Sequence, residues 1–545
     1  MKFISRSILI VYLFIALFSG FSGFMFITLV NEVISTIINS KLPSEHNYLL
    51  LFATVITVFF ISRRLLSEGI IEISQKIFWD IRAYVVKAII KAPYPKVKQT
   101  KDELYSALTV DVNNITNASL VIISFTSAII LVLASFIYLV YLSVPLFIVS
   151  LLIILTGTLA YLYSSRKGNK NFMEVRAIEQ KFMHYFNGVL NGNKEIKVNQ
   201  EKGKEIYNKK VSLLLIEGKE KNTLAYIGYL NSQLISQMLF YIIITFILLY
   251  AGMYFKVSIE TSISFVFALL FLLNPIVTIM LAIPPLNQGI VSYNKLKYLK
   301  EELADNGDDT FFYQDSLHDN FVKKFEKLTF KDYSFEYEEN SFQIGPVNLS
   351  VHANEIIFIH GGNGAGKTTF INLLLNIYAP KQGEVYFNDK LFETPEKINQ
   401  LFAPVFNDFY LFDDFYGIKN IDNQKLNSLL LLFEIADKVK IENGYFSTTD
   451  LSTGQRKRLA LITAILEDRP ILVLDEWAAD QDPYFRKKFY SEIIHKIVKE
   501  ENKTIIAITH DDSYYHEANR LFKMNYGKLE EIKNNITPIK ETLTI

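Results

Sequence analysis

Apolar residues along this chain are concentrated in four long stretches that contain no Asp, Glu, Lys or Arg: Ser7–Asn31, Val112–Ser165, Asn222–Phe255 and Thr261–Asn294. A helix of about 20 apolar residues crosses a bilayer. Val112–Ser165 is long enough for two such helices, and Pro145 predicts the turn between them. Tyr48–Leu66 supplies one further, weaker span, because Arg63 and Arg64 lie near its end. The pattern therefore predicts six membrane helices.

Basic residues are distributed unequally between the segments that join these helices. Arg63–Asp111 has nine Lys or Arg and Arg166–Lys221 has thirteen, and Lys2 and Arg6 precede the first span. The opposite side has only Lys41 and Lys256. Cytoplasmic loops of membrane proteins carry an excess of Lys and Arg. We therefore expect both termini and both long loops on the cytoplasmic side of a bacterial inner membrane.

The hydrophobic pattern changes after the last span. Lys295–Asp319 is polar and acidic and is typical of a linker. From Phe321 onward, short apolar runs alternate with amphipathic stretches, and the runs at Ile356–His360, Ile471–Leu474 and Ile505–Thr509 are typical of buried parallel strands. The predicted fold is an all-α transmembrane domain over residues 1–300, a linker over 301–320 and an α/β domain over 321–545.

Composition excludes several classes of function. Lys and Arg together number 56, as do Asp and Glu, so the formal net charge is zero and no nucleic-acid partner is indicated. The chain has no cysteine, which excludes disulfides, thiolate metal sites and cysteine catalysis.

A glycine-rich segment follows the apolar run Ile356–His360. Its residues are Gly361, Gly362, Asn363, Gly364, Ala365, Gly366, Lys367, Thr368 and Thr369, which fit the pattern G-x-x-x-x-G-K-[ST]. Glycines let backbone N–H groups curl around an anion, and the N-terminus of the following helix attracts phosphate. Lys367 is expected to reach the β- and γ-phosphates of a nucleotide, and Thr368 to hold Mg²⁺.

Two adjacent carboxylates, Asp475 and Glu476, follow the apolar run Ile471–Leu474. Ligands bind at the carboxyl ends of strands in open α/β sheets. We expect Asp475 to hold Mg²⁺ through water and Glu476 to act as general base toward the attacking water. Together with the phosphate loop, this pair predicts a nucleoside triphosphatase.

Between these two elements the chain reads Leu451-Ser452-Thr453-Gly454-Gln455, and here it resembles the ABC transporter superfamily. The segment is similar to the signature motif LSGGQ, with Thr453 in place of the first glycine. The resemblance implies that this helix N-terminus binds the γ-phosphate of ATP held by the opposite subunit. It therefore implies a homodimer that uses ATP and Mg²⁺.

The resemblance assigns roles to further residues. Tyr337 resembles the aromatic that stacks on adenine, although a core aromatic is the alternative. Asp482 lies in a segment that resembles the loop crossing the dimer interface. His510 resembles the switch histidine that contacts the γ-phosphate. Asn407 stands where the family usually has a glutamine that contacts Mg²⁺ or the attacking water. Its side chain is one methylene shorter, so altered coupling to transport is expected.

The membrane half is also similar to this family. Asp102–Thr109 and Gly192–Glu201 resemble the coupling helices of exporters, and six helices followed by one ATPase domain is the exporter arrangement. The Arg456–Arg458 run and Trp477 are similar to those of the bacterial branch that exports cyclic peptides and siderophores. The transported molecule is then expected to be a cyclic or modified peptide or a siderophore precursor.

Two other functions stay open. A lipid or lipid-linked-sugar flippase has the same architecture, and a membrane sensor would bind ATP without turnover. The intact Lys367, Glu476 and His510 argue against the sensor. Polar residues in the last two spans could line a translocation path or serve helix packing: Asn231, Gln233, Gln237, Asn274 and Thr278. We also expect Pro275 to kink the sixth helix.

Overall fold

The computed structural model describes residues 6–38, 45–303, 325–337, 342–392, 395–418, 420–442 and 445–532. The chain divides into two compact units, residues 1–90 with 101–302 and residues 91–100 with 303–545. The predicted linker lies outside the described residues from residue 304 onward. The predicted domain boundaries therefore stay predictions.

The first unit is helical. Its elements in chain order, together with the short α3 that groups with the second unit, are α1 (Arg6–Ile38), α2 (Glu45–Lys91), α3 (Tyr94–Gln99), α4 (Lys101–Ser106), α5 (Val112–Leu142), α6 (Val144–Asn191), α7 (Asn193–Val198), α8 (Gln200–Ile206), α9 (Ser212–Phe255) and α10 (Ile259–Leu303). Single π-helical turns, Ala107–Asp111 and Tyr207–Val211, precede α5 and α9.

Six of these helices contain the six apolar segments that the sequence predicts. Among the described residues, five helices are long and apolar enough to cross a membrane, and α6 adds the apolar run Val144–Ala160. The turn predicted at Pro145 is present, because Ser143 is extended between α5 and α6. Helix α10 continues through Pro275. Whether it bends there stays a prediction.

The two long basic segments were expected to be loops, and this expectation is wrong, because both segments are largely helical. Most of Arg63–Asp111 belongs to α2 and its short successors, and most of Arg166–Lys221 belongs to α6 and α9. These segments are rich in good helix formers such as Lys, Glu and Leu, so each helix continues past its apolar part. Asp102–Thr109 lies in the first unit, whereas α3 is grouped with the second.

Small residues bring the membrane helices close together. A Cβ added to Gly20 of α1 would lie 2.5 Å from the Ile130 side chain of α5, so this crossing depends on the missing side chain. A larger cluster joins α5, α6, α9 and α10 and includes the buried Leu139, Phe240, Phe265 and Leu269. Close van der Waals packing is what holds helices together where water is absent.

The second unit has two main sheets. Its strands are β1 (Lys327–Glu336), β2 (Gln343–His352), β3 (Ile356–His360), β4 (Gln382–Phe387), β5 (Lys390–Leu391), β6 (Phe402–Val405), β7 (Ile441–Glu442), β8 (Tyr445–Phe446), β9 (Ile471–Asp475), β10 (Thr504–Ile508), β11 (Arg520–Asn525) and β12 (Lys528–Ile532). The six-stranded sheet has the order β12-β11-β3-β10-β9-β6, and the four-stranded antiparallel sheet has the order β2-β1-β4-β5.

Besides α3, the α-helices described in this unit are α11 (Lys367–Leu374), α12 (Asn423–Leu432), α13 (Thr453–Leu466), α14 (Pro483–Lys488) and α15 (Ile494–Glu500). The strands β3, β9 and β10 are parallel neighbours, as predicted. Alternate residues enter two different cores: Phe358 belongs to one cluster, and Ile357 and Ile359 to the other. Burial of both faces explains why these strands are continuously apolar. Their carboxyl ends meet at one edge, which carries the candidate site.

Candidate nucleotide-binding site

The glycine-rich segment connects β3 to α11 and folds around the amine of Lys367. Lys367 Nζ donates to the carbonyl oxygens of Gly361 at 3.0 Å and Gly362 at 3.2 Å, and its side chain is almost fully buried. Gly366 has φ 102°, and a Cβ there would lie 2.7 Å from atoms of Phe342 and Ile344. Both its conformation and its surroundings therefore require glycine at the start of α11.

A cavity of about 550 Å³ opens over this segment. It is lined by Tyr337, Phe342, Asn363, Gly364, Ala365, Gly366, Lys367, Thr368, Thr369 and Glu476. A Cβ added at Gly362 or Gly364 would meet nothing within 4 Å, so the cradle has room for an anionic group. Backbone N–H groups in the first turn of α11 and the Lys367 ammonium provide the complementary positive charge. The cradle thus fits a phosphate chain.

Tyr337 lies at the edge of the same cavity. Its ring packs edge-on against Phe335, with centroids 5.0 Å apart, and its hydroxyl is 3.5 Å from Thr369 Oγ1. The residue is 37% exposed, which does not fit the alternative of a core aromatic. An exposed aromatic face beside the phosphate cradle suits the stacking of a nucleobase.

Asp475 ends β9 beside α11. Its Oδ2 is 3.5 Å from Thr368 Oγ1, so two of the predicted Mg²⁺ ligands lie together. Burial, reinforced by the neighbouring Glu476 carboxylate, raises the pKa of Asp475 to about 6. A divalent cation beside these oxygens would restore the ionised form, and the pair of oxygen ligands fits Mg²⁺.

Glu476 adopts a left-handed backbone conformation, with φ 50°, immediately after β9. Its Oε1 lies 3.1 Å from His510 Nε2 and 3.8 Å from Lys367 Nζ, and its Oε2 accepts from Asn407 Nδ2 at 3.5 Å. The structure therefore brings together Lys367, Asn407, Glu476 and His510, which are far apart in the sequence. The side chain of Glu476 is 28% exposed and faces the cavity.

The signature segment begins α13. Ser452 caps the helix by accepting from Gln455 N, and the Gln455 side chain accepts from Ser452 N. In this capping box the Ser452 oxygen only accepts, so its hydroxyl proton stays free to donate to an anion. A Cβ added to Gly454 would lie 2.8 Å from the Asp480 carbonyl oxygen, so glycine is needed where α13 approaches the loop after β9. Ser452 and Thr453 are exposed, as a site completed by a second chain requires.

Asp482 has partners within its own chain. It caps α14 by accepting from Phe485 N, and its Oδ2 accepts from Arg458 Nη2 at 2.9 Å. The Arg458 guanidinium also stacks on the Phe485 ring, 3.4 Å from its centroid. The expectation of an interface role for Asp482 stays a prediction, and the structure adds a role in fixing the loop that contains it.

Sequence reasoning missed the structural importance of Lys457 and Trp477. Both are buried, and Trp477 Nε1 donates to the Lys457 carbonyl oxygen at 2.8 Å. Lys457 Nζ reaches Asn407, Glu476 and Asp480. The available signal was a lysine in the same helix as two arginines, which by itself is typical of a solvated helix face.

Comparison with known proteins agrees with this geometry. Residues 344–479 match the family described as ABC transporter, and residues 9–280 match the ABC transporter transmembrane region. The ATP-binding protein SyrD of Pseudomonas syringae pv. syringae is 30% identical over 473 residues, which cover 83% of this chain and 82% of SyrD. The chain belongs to the ABC transporter family.

Two further similarities concern its parts and its fold. The energy-coupling factor transporter ATP-binding protein EcfA1 of Staphylococcus aureus (strain MSSA476) is 28% identical over 217 residues, covering 37% of this chain and 78% of EcfA1. The structure of a bacterial Atm1-family ABC exporter with ATP bound superposes with a TM-score of 0.77, covering 96% of this chain and 94% of that one at 14% identity. At that identity the likeness establishes the fold alone.

This ABC transporter chain is therefore a half-transporter. Its ATP-binding domain is an ATPase coupled to transport, and its helical half is embedded in a membrane. One membrane domain fused to one ATP-binding domain supplies half of a transporter, so the chain works as a dimer.

Proposed function

We propose that this ABC transporter exports a cyclic or modified peptide, or a siderophore precursor, across the bacterial cytoplasmic membrane. The observation that carries the proposal is the similarity to SyrD, which extends over 83% of the chain and so includes the membrane domain. Substrate selection in a transporter belongs to the membrane domain. In this proposal the ATPase domain and both termini are cytoplasmic, because the basic residues flank the spans on that side.

The polar groups of the last two spans support a neutral, amphipathic cargo. Asn231 and Asn274 are exposed in the single chain, Gln233 and Gln237 are half-buried, and the Thr278 hydroxyl donates to the Asn274 carbonyl oxygen at 2.9 Å. Amides and hydroxyls suit the backbone groups of a peptide. The charge-free segments that hold these residues offer no Lys or Arg to pair with a desolvated lipid phosphate.

In the ATPase cycle, we assign Lys367 to the β- and γ-phosphates and Glu476 to deprotonation of the attacking water. Thr368 and Asp475 would hold Mg²⁺, which when bound stabilises the charge that develops on the phosphates. Asn407 was also expected near Mg²⁺, but its amide oxygen accepts from Lys457 Nζ at 3.0 Å, so we assign its Nδ2 to the attacking water. His510 is placed to orient the Glu476 carboxylate through its 3.1 Å contact. The signature segment Ser452–Gln455 of a second copy would complete each site.

Deletion of the gene tests the cargo. We expect a peptide-like metabolite or siderophore precursor to accumulate inside the cell and to disappear from the medium, with membrane lipids unchanged. Replacement by the Glu476→Gln variant should give the same result, since the protein is present but does not turn over. Lipid accumulation in the inner leaflet, without loss of a secreted metabolite, would establish the flippase instead.

Transport by the purified protein in lipid vesicles distinguishes peptide export from lipid flipping without the other components of the cell. The homodimer is reconstituted with its ATPase domains facing outward, and metabolite extracts of the deletion strain are added with ATP. Peptide uptake into the vesicles by the wild type, and not by Glu476→Gln, is the expected outcome. Movement of labelled lipid between leaflets, with no uptake of any peptide fraction, would contradict the proposal.

A further inference from the structure

Lys457 is a buried cation within the ATPase domain whose role the established activity does not specify. It lies in the first half of α13, and its side chain has an exposed fraction of 0%. A lysine is almost never buried completely unless its charge is paired. Its surroundings should therefore contain a structural reason for keeping an ammonium there.

The ammonium has one acceptor for each of its three protons. Lys457 Nζ donates to Asn407 Oδ1 at 3.0 Å and to the Glu476 carbonyl oxygen at 3.1 Å, and it pairs with Asp480 Oδ2 at 2.7 Å. The acceptors come from two loops, one after β6 and one after β9. The signature helix is thus joined through a single amine to the loop that carries Asn407 and to the loop that carries the proposed base Glu476.

The contact with Asn407 also determines how its amide is oriented. An Asn side chain has an oxygen that accepts and a nitrogen that donates. Because Lys457 can only donate, it holds Asn407 Oδ1 and turns Asn407 Nδ2 toward Glu476 Oε2, 3.5 Å away. With the amide rotated by 180°, two donors would face each other at Lys457 and two acceptors at Glu476.

Neighbouring residues hold the amine in place. Trp477 Nε1 donates to the Lys457 carbonyl oxygen at 2.8 Å, and the Trp477 ring packs on Phe489 with centroids 4.3 Å apart. The loop after β9 therefore contacts Lys457 at its backbone as well as at its amine. Asn407 is shorter than the glutamine usual at its position, and the long side chain of Lys457 reaches its amide oxygen.

We propose that Lys457 is a positioning residue for ATP hydrolysis, which orients the Asn407 amide toward Glu476 and ties both loops to the signature helix. The inference rests on the proposed role of Glu476. It predicts that loss of the ammonium affects the hydrolytic step more than ATP binding, because no atom of Lys457 lines the phosphate cavity.

The test is a double-mutant cycle on the full-length homodimer, reconstituted in lipid and assayed by phosphate release. Lys457→Gln retains one donor, and Lys457→Met removes all three while keeping an unbranched chain. We expect Lys457→Met to lower kcat about 10- to 100-fold, in the range found for residues that orient a reacting group through another, with KM for ATP changed by less than about twofold. Lys457→Gln should retain an intermediate kcat, since it can still donate to Asn407.

Asn407→Ala alone should lower kcat to a similar degree. If Lys457 acts through Asn407, Lys457→Gln in the Asn407→Ala background should change kcat by less than about twofold, because the orientation has no amide left to act on. If the double variant instead lost kcat by the product of the two single-variant factors, the proposal would be overturned. A wild-type kcat for both Lys457→Gln and Lys457→Met would overturn it as well. Should Lys457→Met fail to fold, the cycle with Lys457→Gln decides alone.

Lys503 is the matched control. It is also a buried lysine of this domain, paired with Asp468 at 2.6 Å, but it precedes β10 at the end remote from His510. Lys503→Gln should lower the thermal midpoint without changing kcat of the folded protein, and an equal loss of kcat would mean that Lys457 acts through stability only. Glu476→Gln is assayed in parallel. If it hydrolyses ATP normally, the assignment of Glu476 as general base is wrong. If Glu476→Gln is inactive and Lys457→Met has normal kcat, only the positioning role of Lys457 is refuted.

Discussion

Replacement of Glu476 by glutamine isolates the proposed general base. The change removes one negative charge and keeps the size of the side chain, which is 28% exposed and therefore leaves no cavity in the core. Glutamine can still accept from Asn407 through its carbonyl oxygen. The fold and the adjacent loops should be unaffected, so a change in activity reports on chemistry.

The expected magnitude follows from the role of the residue. A positioned general base contributes about 10²- to 10⁴-fold, which is roughly 2.7–5.5 kcal/mol of the activation barrier. ATP binding should be unchanged or tighter. The Glu476 carboxylate lies 3.8 Å from Lys367 Nζ and competes with the nucleotide for this cation. A neutral amide removes that competition and the repulsion of the γ-phosphate.

Three measurements on the purified full-length homodimer check this expectation. Steady-state phosphate release should fall by at least about 100-fold, equilibrium binding of Mg·ATP should persist, and the dimer closed on ATP should accumulate in cross-linking. Glu492→Gln is the control, because Glu492 is exposed on the same domain and pairs only one helical turn away with Lys496. Hydrolysis by Glu476→Gln within about twofold of wild type would refute the assignment.

Three further predictions concern neighbouring residues. Asn407→Gln should raise substrate-stimulated ATPase or leave it unchanged, because glutamine restores the longer side chain that the family usually has at this position; a loss of stimulation would contradict a role of this residue in coupling. Trp477→Ala should destabilise the ATPase domain by about 3–5 kcal/mol, seen as a lower thermal midpoint, because it removes a buried ring packed on Phe489 and a donor to Lys457. Asp475→Asn should raise the thermal midpoint of the nucleotide-free protein at pH 7.5 but not at pH 4: the pKa of Asp475 rises from 3.8 to about 6 on folding, so the wild type loses stability as pH increases through this interval. An unchanged difference between the two pH values would contradict this assignment of the pKa.

The membrane half shows what local sequence determines directly. A charge-free stretch such as Thr261–Asn294 cannot leave a bilayer without cost, and its backbone groups can be satisfied there by a helix, so the number of spans was predictable. The secondary structure of the basic segments beyond the spans was not predictable. Polar residues such as those of Arg166–Lys221 are compatible with a loop or with an exposed helix, and the structure continues α6 and α9 through them.

In the ATPase domain, too, some features of the nucleotide-binding site were predictable from sequence and others were not. The phosphate loop was predictable because the spacing of Gly361, Gly366 and Lys367 sets the backbone geometry locally. Asp475 and Glu476 were predictable because they follow a continuously apolar run. The contact between Lys457 and Asn407 was not, since these residues are 50 positions apart and either one alone is typical of a solvated surface. Only the packing of α13 against the loops after β6 and β9 buries the ammonium and selects its acceptors. Sequence spacing thus determined which groups can bind phosphate, whereas the tertiary structure decided which way the Asn407 amide faces, because that orientation depends on a donor supplied by a distant helix.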